Sequence, residues 1–222
     1  VDFDGYKNMV GAFYMPKLVY MNLSLLNTLP ERQFYSGMAE VLKYGLIKDV
    51  NFFEWLISNF YEICEKDFEI LAEMIINCCK IKKAVVEKDP LEMGERALLN
   101  FGHTLGHAIE KHKNFQLLHG ECVALGIVCA AHISMQKELI SSDEFYEIRD
   151  MLVPFQLPIS MEDLDIPAII QLTKSDKKMD AGKIKFILLK KIGKAIIDET
   201  VTEDEMCKAL EEIHYSYEDD KE

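Results

Sequence analysis

The stretch Gly120–Ile133 (GECVALGIVCAAHI) is apolar on almost every side of a helix. A helix with no polar face must be covered all round, so this segment predicts a central helix with the other elements packed about it. It falls short of the ~20 apolar residues that a bilayer span requires, and no other run reaches that length. The fold is therefore expected to be mainly α and to be built around a buried axis.

Working outward, Ala97–Lys111 is expected as one helix, preceded by a loop marked by Pro90 and Gly94. Phe68–Val86 and Asn51–Cys64 (NFFEWLISNFYEIC) carry apolar residues at helical spacing. Leu29-Pro30-Glu31-Arg32 opens a further helix, with proline near its first turn. That helix runs through Met38–Lys43, with a break expected near Gly37. Lys17–Asn22 (KLVYMN) reads as a short buried strand. Beyond the central helix, Asp143–Leu152 is helical in pattern. Lys183–Leu189 and Ala195–Ile197 flank Gly193 and predict a small hairpin near 183–199. Thr202 with Glu205 forms a capping-box pattern that opens a last helix to His214. The acidic end, Glu218–Glu222, is expected to fray. The whole of 1–222 reads as one domain. There is no GxGxxG after a strand and no βαβ alternation to carry a dinucleotide loop.

Composition narrows the function classes. The net charge of -13 argues against a broad nucleic-acid surface, although local cationic clusters can still hold a small anion. Nearly half of the 222 residues are hydrophobic, enough for a sizeable core. The six cysteines, at 64, 78, 79, 122, 129 and 207, form no CxxC pair and read as buried free thiols of a reducing cytosol. No signal-peptide layout is present.

His103 and His107 stand four apart, on one face of a helix, and His119 follows at the mouth of the central helix. A catalytic zinc takes three nitrogen or oxygen ligands and keeps one position open. Two of these histidines and a carboxylate meet that need, but spacing leaves open which two. Glu40 is a candidate carboxylate: its neighbours Met38, Ala39, Val41 and Leu42 are apolar, so it can point inward. Lys43, three residues on, offers it an ordinary ion pair instead. Lys82, Arg96 and Lys177-Lys178, with Asn8 and Asn100, form a second set suited to a phosphate or carboxylate. Arg96 precedes Asn100 by four, so the two can share a face with His103, or the one next to it.

Several of these segments together resemble the 3-dehydroquinate synthase family. They are Ser36–Gly45 (SGMAEVLKYG), Arg96–His107 (RALLNFGHTLGH) and Leu118–Glu121 (LHGE), with Gly5–Tyr14 and Asp176-Lys177-Lys178 in support. The resemblance implies the helical C-terminal domain of that fold. It implies conversion of 3-deoxy-D-arabino-heptulosonate 7-phosphate to 3-dehydroquinate and phosphate by a carbon–oxygen lyase. This is a step of the shikimate pathway, toward chorismate and the aromatic amino acids. The implied cofactors are NAD and a divalent cation, zinc or cobalt.

The resemblance further implies metal ligation by Glu40, His103 and His119, and substrate contact and proton handling by His107. Lys43, Lys82, Arg96 and Asn100 fall on substrate positions, the first three with catalytic weight. Asn8 and one of Lys177 and Lys178 also fall on substrate positions, and Lys7 and Thr28 on cofactor positions. The family's N-terminal NAD-binding domain is expected to lie outside this chain, so the chain alone is expected to bind metal without turning over. A homodimer in the cytoplasm is implied for the whole protein, with a sugar phosphate as partner and neither membrane nor nucleic acid. Alternatives are a related sugar-phosphate cyclase of the 2-deoxy-scyllo-inosose synthase type, a metal-dependent glycerol-phosphate dehydrogenase, and a non-catalytic metal-binding module.

Overall fold

The apolar stretch folds as α6 (His119–Gln136), and every residue from Cys122 to Ser134 is buried. The computed structural model describes residues 3, 10–12, 14, 16–91, 94–176 and 184–215. Before α6 come α1 (Glu31–Lys48), α2 (Val50–Ser58), α3 (Phe60–Cys64), α4 (Phe68–Lys88) and α5 (His103–His112). After it come α7 (Ser142–Asp150), α8 (Ile166–Asp176), the strands β1 (Phe186–Lys191) and β2 (Lys194–Asp198), and α9 (Glu203–Ile213). Helices α1, α5, α7 and α9 and strand β1 surround α6. The core thus forms around one apolar rod, as its lack of a polar face requires.

Two glycines let α6 approach its neighbours at backbone distance. A Cβ on Gly126 would lie 1.8 Å from Gly102 O, at the start of α5. A Cβ on Gly120 would lie 1.8 Å from Ser36 O, on α1. Gly120 N–H also donates to Ser36 Oγ at 3.1 Å. On the far side, Ser134 Oγ donates to Ala130 O at 2.6 Å and accepts from Leu189 N–H at 3.0 Å, which ties β1 to α6.

The antiparallel hairpin pairs Ile187 with Ile197 and Leu189 with Ala195, and turns at Ile192-Gly193 with Gly193 at φ 81°. The capping box that opens α9 forms: Thr202 Oγ1 accepts from Glu205 N–H, and Thr202 N–H donates to Glu205 Oε2.

Four expectations are corrected. Lys17–Asn22 forms no strand: no partner strand lies beside it among the described residues, and Leu18, Val19 and Tyr20 are 82%, 65% and 83% exposed. Helix α1 runs through Gly37 unbroken, because that glycine faces open space and needs no special backbone. The single helix expected over 97–111 is a 3-10 helix, Glu95–Asn100, then α5, separated by Gly102 at φ 78°. Asn51–Cys64 likewise divides at Asn59, whose amide donates to Trp55 O. Helix α8 was not foreseen, although Asp165 before Ile166-Pro167 is a start signal: Asp165 Oδ1 accepts from Ala168 N–H at 3.0 Å. All six cysteines are free. Cys122 and Cys129 are buried as expected, while Cys79 is exposed.

Two glycine substitutions should act in opposite directions. Gly126→Ala forces backbone apart and is expected to cost ~1–3 kcal/mol or more. Gly37→Ala fills open space in a helix and should add about 0.5–1 kcal/mol. Urea midpoints of the two variants check this, and a Gly126→Ala midpoint equal to the parent would mean that α5 and α6 are not in backbone contact.

Candidate metal centre

Glu40 projects from the buried side of α1, where Met38, Ala39 and Leu42 are each at most 1% exposed. The close approach at Gly120 sets the first residue of α6, His119, opposite it. The contact at Gly126 does the same for the first residue of α5, His103. Glu40 Oε1 lies 3.3 Å from His103 Nε2 and 3.4 Å from His119 Nε2. His107, one turn along α5, completes a cluster in which ligand nitrogens of the three histidines lie within 4.8 Å of one another. Ring centroids are 5.1 Å apart for His103 and His107, 5.4 Å for His103 and His119, and 5.7 Å for His107 and His119.

The donor set fits a divalent cation. His103 Nδ1 lies 3.0 Å from Phe101 O, and a carbonyl can only accept, so the ring proton sits on Nδ1. Nε2 then faces Glu40 Oε1, and either a second ring proton or a divalent cation can stand between the two. Ligand bonds of ~2.1 Å in a tetrahedron put ligand atoms ~3.4 Å apart. That matches both Glu40–histidine separations.

Charge around the centre is balanced by lysines. Lys43 Nζ donates to Glu40 Oε2, and Lys43 is only 4% exposed. Burial works to raise the Glu40 carboxyl pKa, but His103, His119 and Lys43 outweigh it and hold the group well below the usual carboxylate range. Glu40 is therefore ionised at neutral pH. Burial pushes the Lys43 ammonium below its ordinary pKa; Glu40 opposes this, while the nearby positive charge of Lys82 adds to it. Lys82 itself is exposed on α4.

The remaining predicted residues lie on other elements. The Arg96 guanidinium donates to Pro90 O at 2.8 Å, and its backbone N–H donates to Asp89 Oδ2. Asn100 is exposed at the end of the 3-10 helix. Because Gly102 turns the chain, neither continues the helical face of His103, contrary to expectation. Thr28 closes an earlier 3-10 helix, Leu23–Thr28, and its hydroxyl donates to Leu25 O at 2.8 Å. Lys7, Asn8, Lys177 and Lys178 lie outside the described residues.

Sequence reasoning missed two carboxylates. Glu110 is buried on α5, with Oε2 3.7 Å from His119 Nδ1. Its signal was the spacing i, i+4, i+7 of His103, His107 and Glu110. Glu121 forms a two-point pair with Arg32 on α1, at 2.6 and 2.7 Å, and accepts from Leu118 N–H at 2.8 Å. It therefore clamps the end of α6 that bears His119.

In class, the fold and site define a helical domain with a preorganised carboxylate and imidazole centre of the kind a divalent cation takes. Residues 37–179 match the family model described as 3-dehydroquinate synthase C-terminal, and residues 1–36 match 3-dehydroquinate synthase N-terminal. The chain belongs to the 3-dehydroquinate synthase family.

The 3-dehydroquinate synthase of Acetivibrio thermocellus is 42% identical over 210 residues, covering 95% of this chain and 58% of the relative. That of Colwellia psychrerythraea is 44% identical over 206 residues, covering 92% and 58%. The chain thus spans under two thirds of the length of these relatives. Among solved structures, 2-epi-5-epi-valiolone synthase from Streptomyces hygroscopicus subsp. jinggangensis 5008, with NAD+ and Zn2+ bound, matches with TM-score 0.88 at 23% identity. It covers 96% of this chain and 60% of its own. A 2-deoxy-scyllo-inosose synthase complexed with carbaglucose-6-phosphate, NAD+ and Co2+ matches with TM-score 0.77 at 24% identity, covering 96% and 60%. At these identities the likeness speaks to fold.

Metal analysis separates the candidate ligand sets. His103→Ala is expected to abolish stoichiometric zinc, while His107→Ala largely retains it; a centre built on all three histidines would lose the ion in both. A pH test addresses the clamp. Burial tends to raise the Glu121 pKa, but Arg32 and the Leu118 N–H hold it below the ordinary value. A carboxyl lowered on folding stabilises above its unfolded pKa, and that contribution is lost as pH falls through the folded one. Glu121→Gln should therefore shrink the stability difference between roughly pH 7 and roughly pH 3, measured by denaturant titration.

Proposed function

We propose that this chain forms the metal- and substrate-binding part of a 3-dehydroquinate synthase. That enzyme is an NAD- and metal-dependent carbon–oxygen lyase, which converts 3-deoxy-D-arabino-heptulosonate 7-phosphate to 3-dehydroquinate and phosphate on the shikimate route. The observation that carries the reading is Glu40 Oε1 set 3.3 and 3.4 Å from His103 and His119 Nε2, in a chain of this family. The 42–44% identity to 3-dehydroquinate synthases, against 23–24% to the valiolone and inosose cyclases, favours this substrate over theirs. The same reading makes the whole protein a cytoplasmic homodimer acting on a small sugar phosphate.

Glu40, His103 and His119 would hold zinc or cobalt. Bound there, the cation would supply Lewis acidity toward substrate hydroxyls, and NAD would supply the capacity to accept and return a hydride. The chain's own residues bind and orient. Lys43, Lys82 and Arg96 contribute fixed positive charge for the substrate's carboxylate, hydroxyls and developing anion. Asn100 and Asn8 add neutral donors, and Lys177 or Lys178 takes the phosphate. His107 stands beside the two ligand histidines without belonging to the proposed triad, and an imidazole there can hold or pass a proton near neutral pH. Lys7 and Thr28 would meet the cofactor.

The polypeptide encoded by the complete reading frame, given NAD and Zn2+ or Co2+, should release phosphate and form 3-dehydroquinate from 3-deoxy-D-arabino-heptulosonate 7-phosphate. Turnover of another cyclase's sugar phosphate in its place would refute the assignment. Lys82→Ala should lower kcat/KM by ~10²-fold or more, as for removal of one fixed donor from a developing charge. Steady-state kinetics check it.

A further inference from the structure

His103, His107 and Glu110 form one stripe along α5, at i, i+4 and i+7, and that stripe faces the start of α6. The Glu110 side chain is 7% exposed, and its Oε2 lies 3.7 Å from Nδ1 of His119. The other nitrogen of the same ring, Nε2, faces Glu40. His119 is thus placed between two carboxylates on opposite sides of its ring. His103 has the same arrangement with a different acceptor: Phe101 O on Nδ1 and Glu40 on Nε2.

We propose that Glu110 is a positioning residue for His119. Its carboxylate faces the Nδ1 side of the ring, and so favours the tautomer protonated there, with Nε2 turned toward Glu40. Its buried negative charge also makes the imidazole a better donor to a divalent cation. A separation of 3.7 Å is an ion-pair distance rather than a hydrogen bond. A cation at Nε2 would draw electron density from the ring and so strengthen the attraction of its Nδ1 side to the carboxylate. The inference rests on the reading of Glu40, His103 and His119 as metal ligands.

The test measures Zn2+ affinity by competition with a chromophoric chelator, on folded protein verified by circular dichroism. The Co2+ absorption spectrum serves as a second readout. Glu110→Gln keeps the shape and removes the charge; it should weaken zinc binding by roughly 10–100-fold and alter the Co2+ spectrum. Glu212→Gln is the control. Glu212 on α9 faces a different histidine of α6, His132, at 3.9 Å, and its loss should leave zinc affinity within roughly twofold of the parent. A purely structural role for Glu110 would lower metal-free stability and leave the affinity of folded molecules unchanged, and that result overturns the proposal. If Glu110→Gln does not fold, Glu110→Asp takes its place: weakened binding supports the role, and parental binding overturns it. If the parent chain shows no His103-dependent zinc binding, the ligand reading fails, and the inference with it.

Discussion

The site depends on backbone touching backbone. At Gly126 and Gly120, α6 lies so close to Gly102 of the α5 entry and Ser36 of α1 that a single methyl would sit 1.8 Å from a carbonyl oxygen. Helices held apart by side chains pack with axes ~8–10 Å apart, and a long polar side chain can then swing between several positions. Here the helix mouths are fixed by main chain. His103 and His119 are the first residues of their helices, so their Cα positions inherit that precision. Glu40 comes from the middle of α1, four residues after the Ser36 that Gly120 touches. The same contact therefore positions a carboxylate and an imidazole relative to each other.

Electrostatics follow from that geometry. Bringing Glu40 and Glu110 to opposite sides of one imidazole concentrates negative charge in a half-buried place. Lys43 answers part of it from within α1, and Lys82 approaches from α4. The proposed triad of two histidines and one carboxylate would leave a coordination position open, unlike a closed structural metal site, whose ligands are all spent on the ion.

Much of this was legible in the residues. The buried axis could be read from Gly120–Ile133 because an apolar helix has only one stable environment. The capping box at Thr202 and Glu205 and the hairpin turn at Gly193 were legible because each is local chemistry with a fixed spacing. For the proposed metal triad, spacing yielded three histidines, and the resemblance singled out two of them with Glu40. What could not be read depends on neighbours distant in sequence. Gly102 looked like one more residue of a helix, and its left-handed turn, with Arg96 and Asn100 set off from the His103 face, follows from where α6 lies. KLVYMN has strand composition, but a strand needs a ladder, and none lies beside it among the described residues. Glu110 stood in plain sight as the third member of a helical stripe, yet its role depends on a ring nine residues later being turned toward it.

The three proposed ligands come from three helices, at positions 40, 103 and 119. An ion held by them would be a cross-link between segments that the unfolded chain allows to drift apart. Anything bound to the folded form alone adds RT ln(1 + [L]/Kd) to its stability. Melting temperature in this protein would then report occupancy as well as packing. A preparation stripped by a chelator or by a histidine tag's affinity resin could pass for a poorly folded variant, when its core is intact and only the rivet is missing.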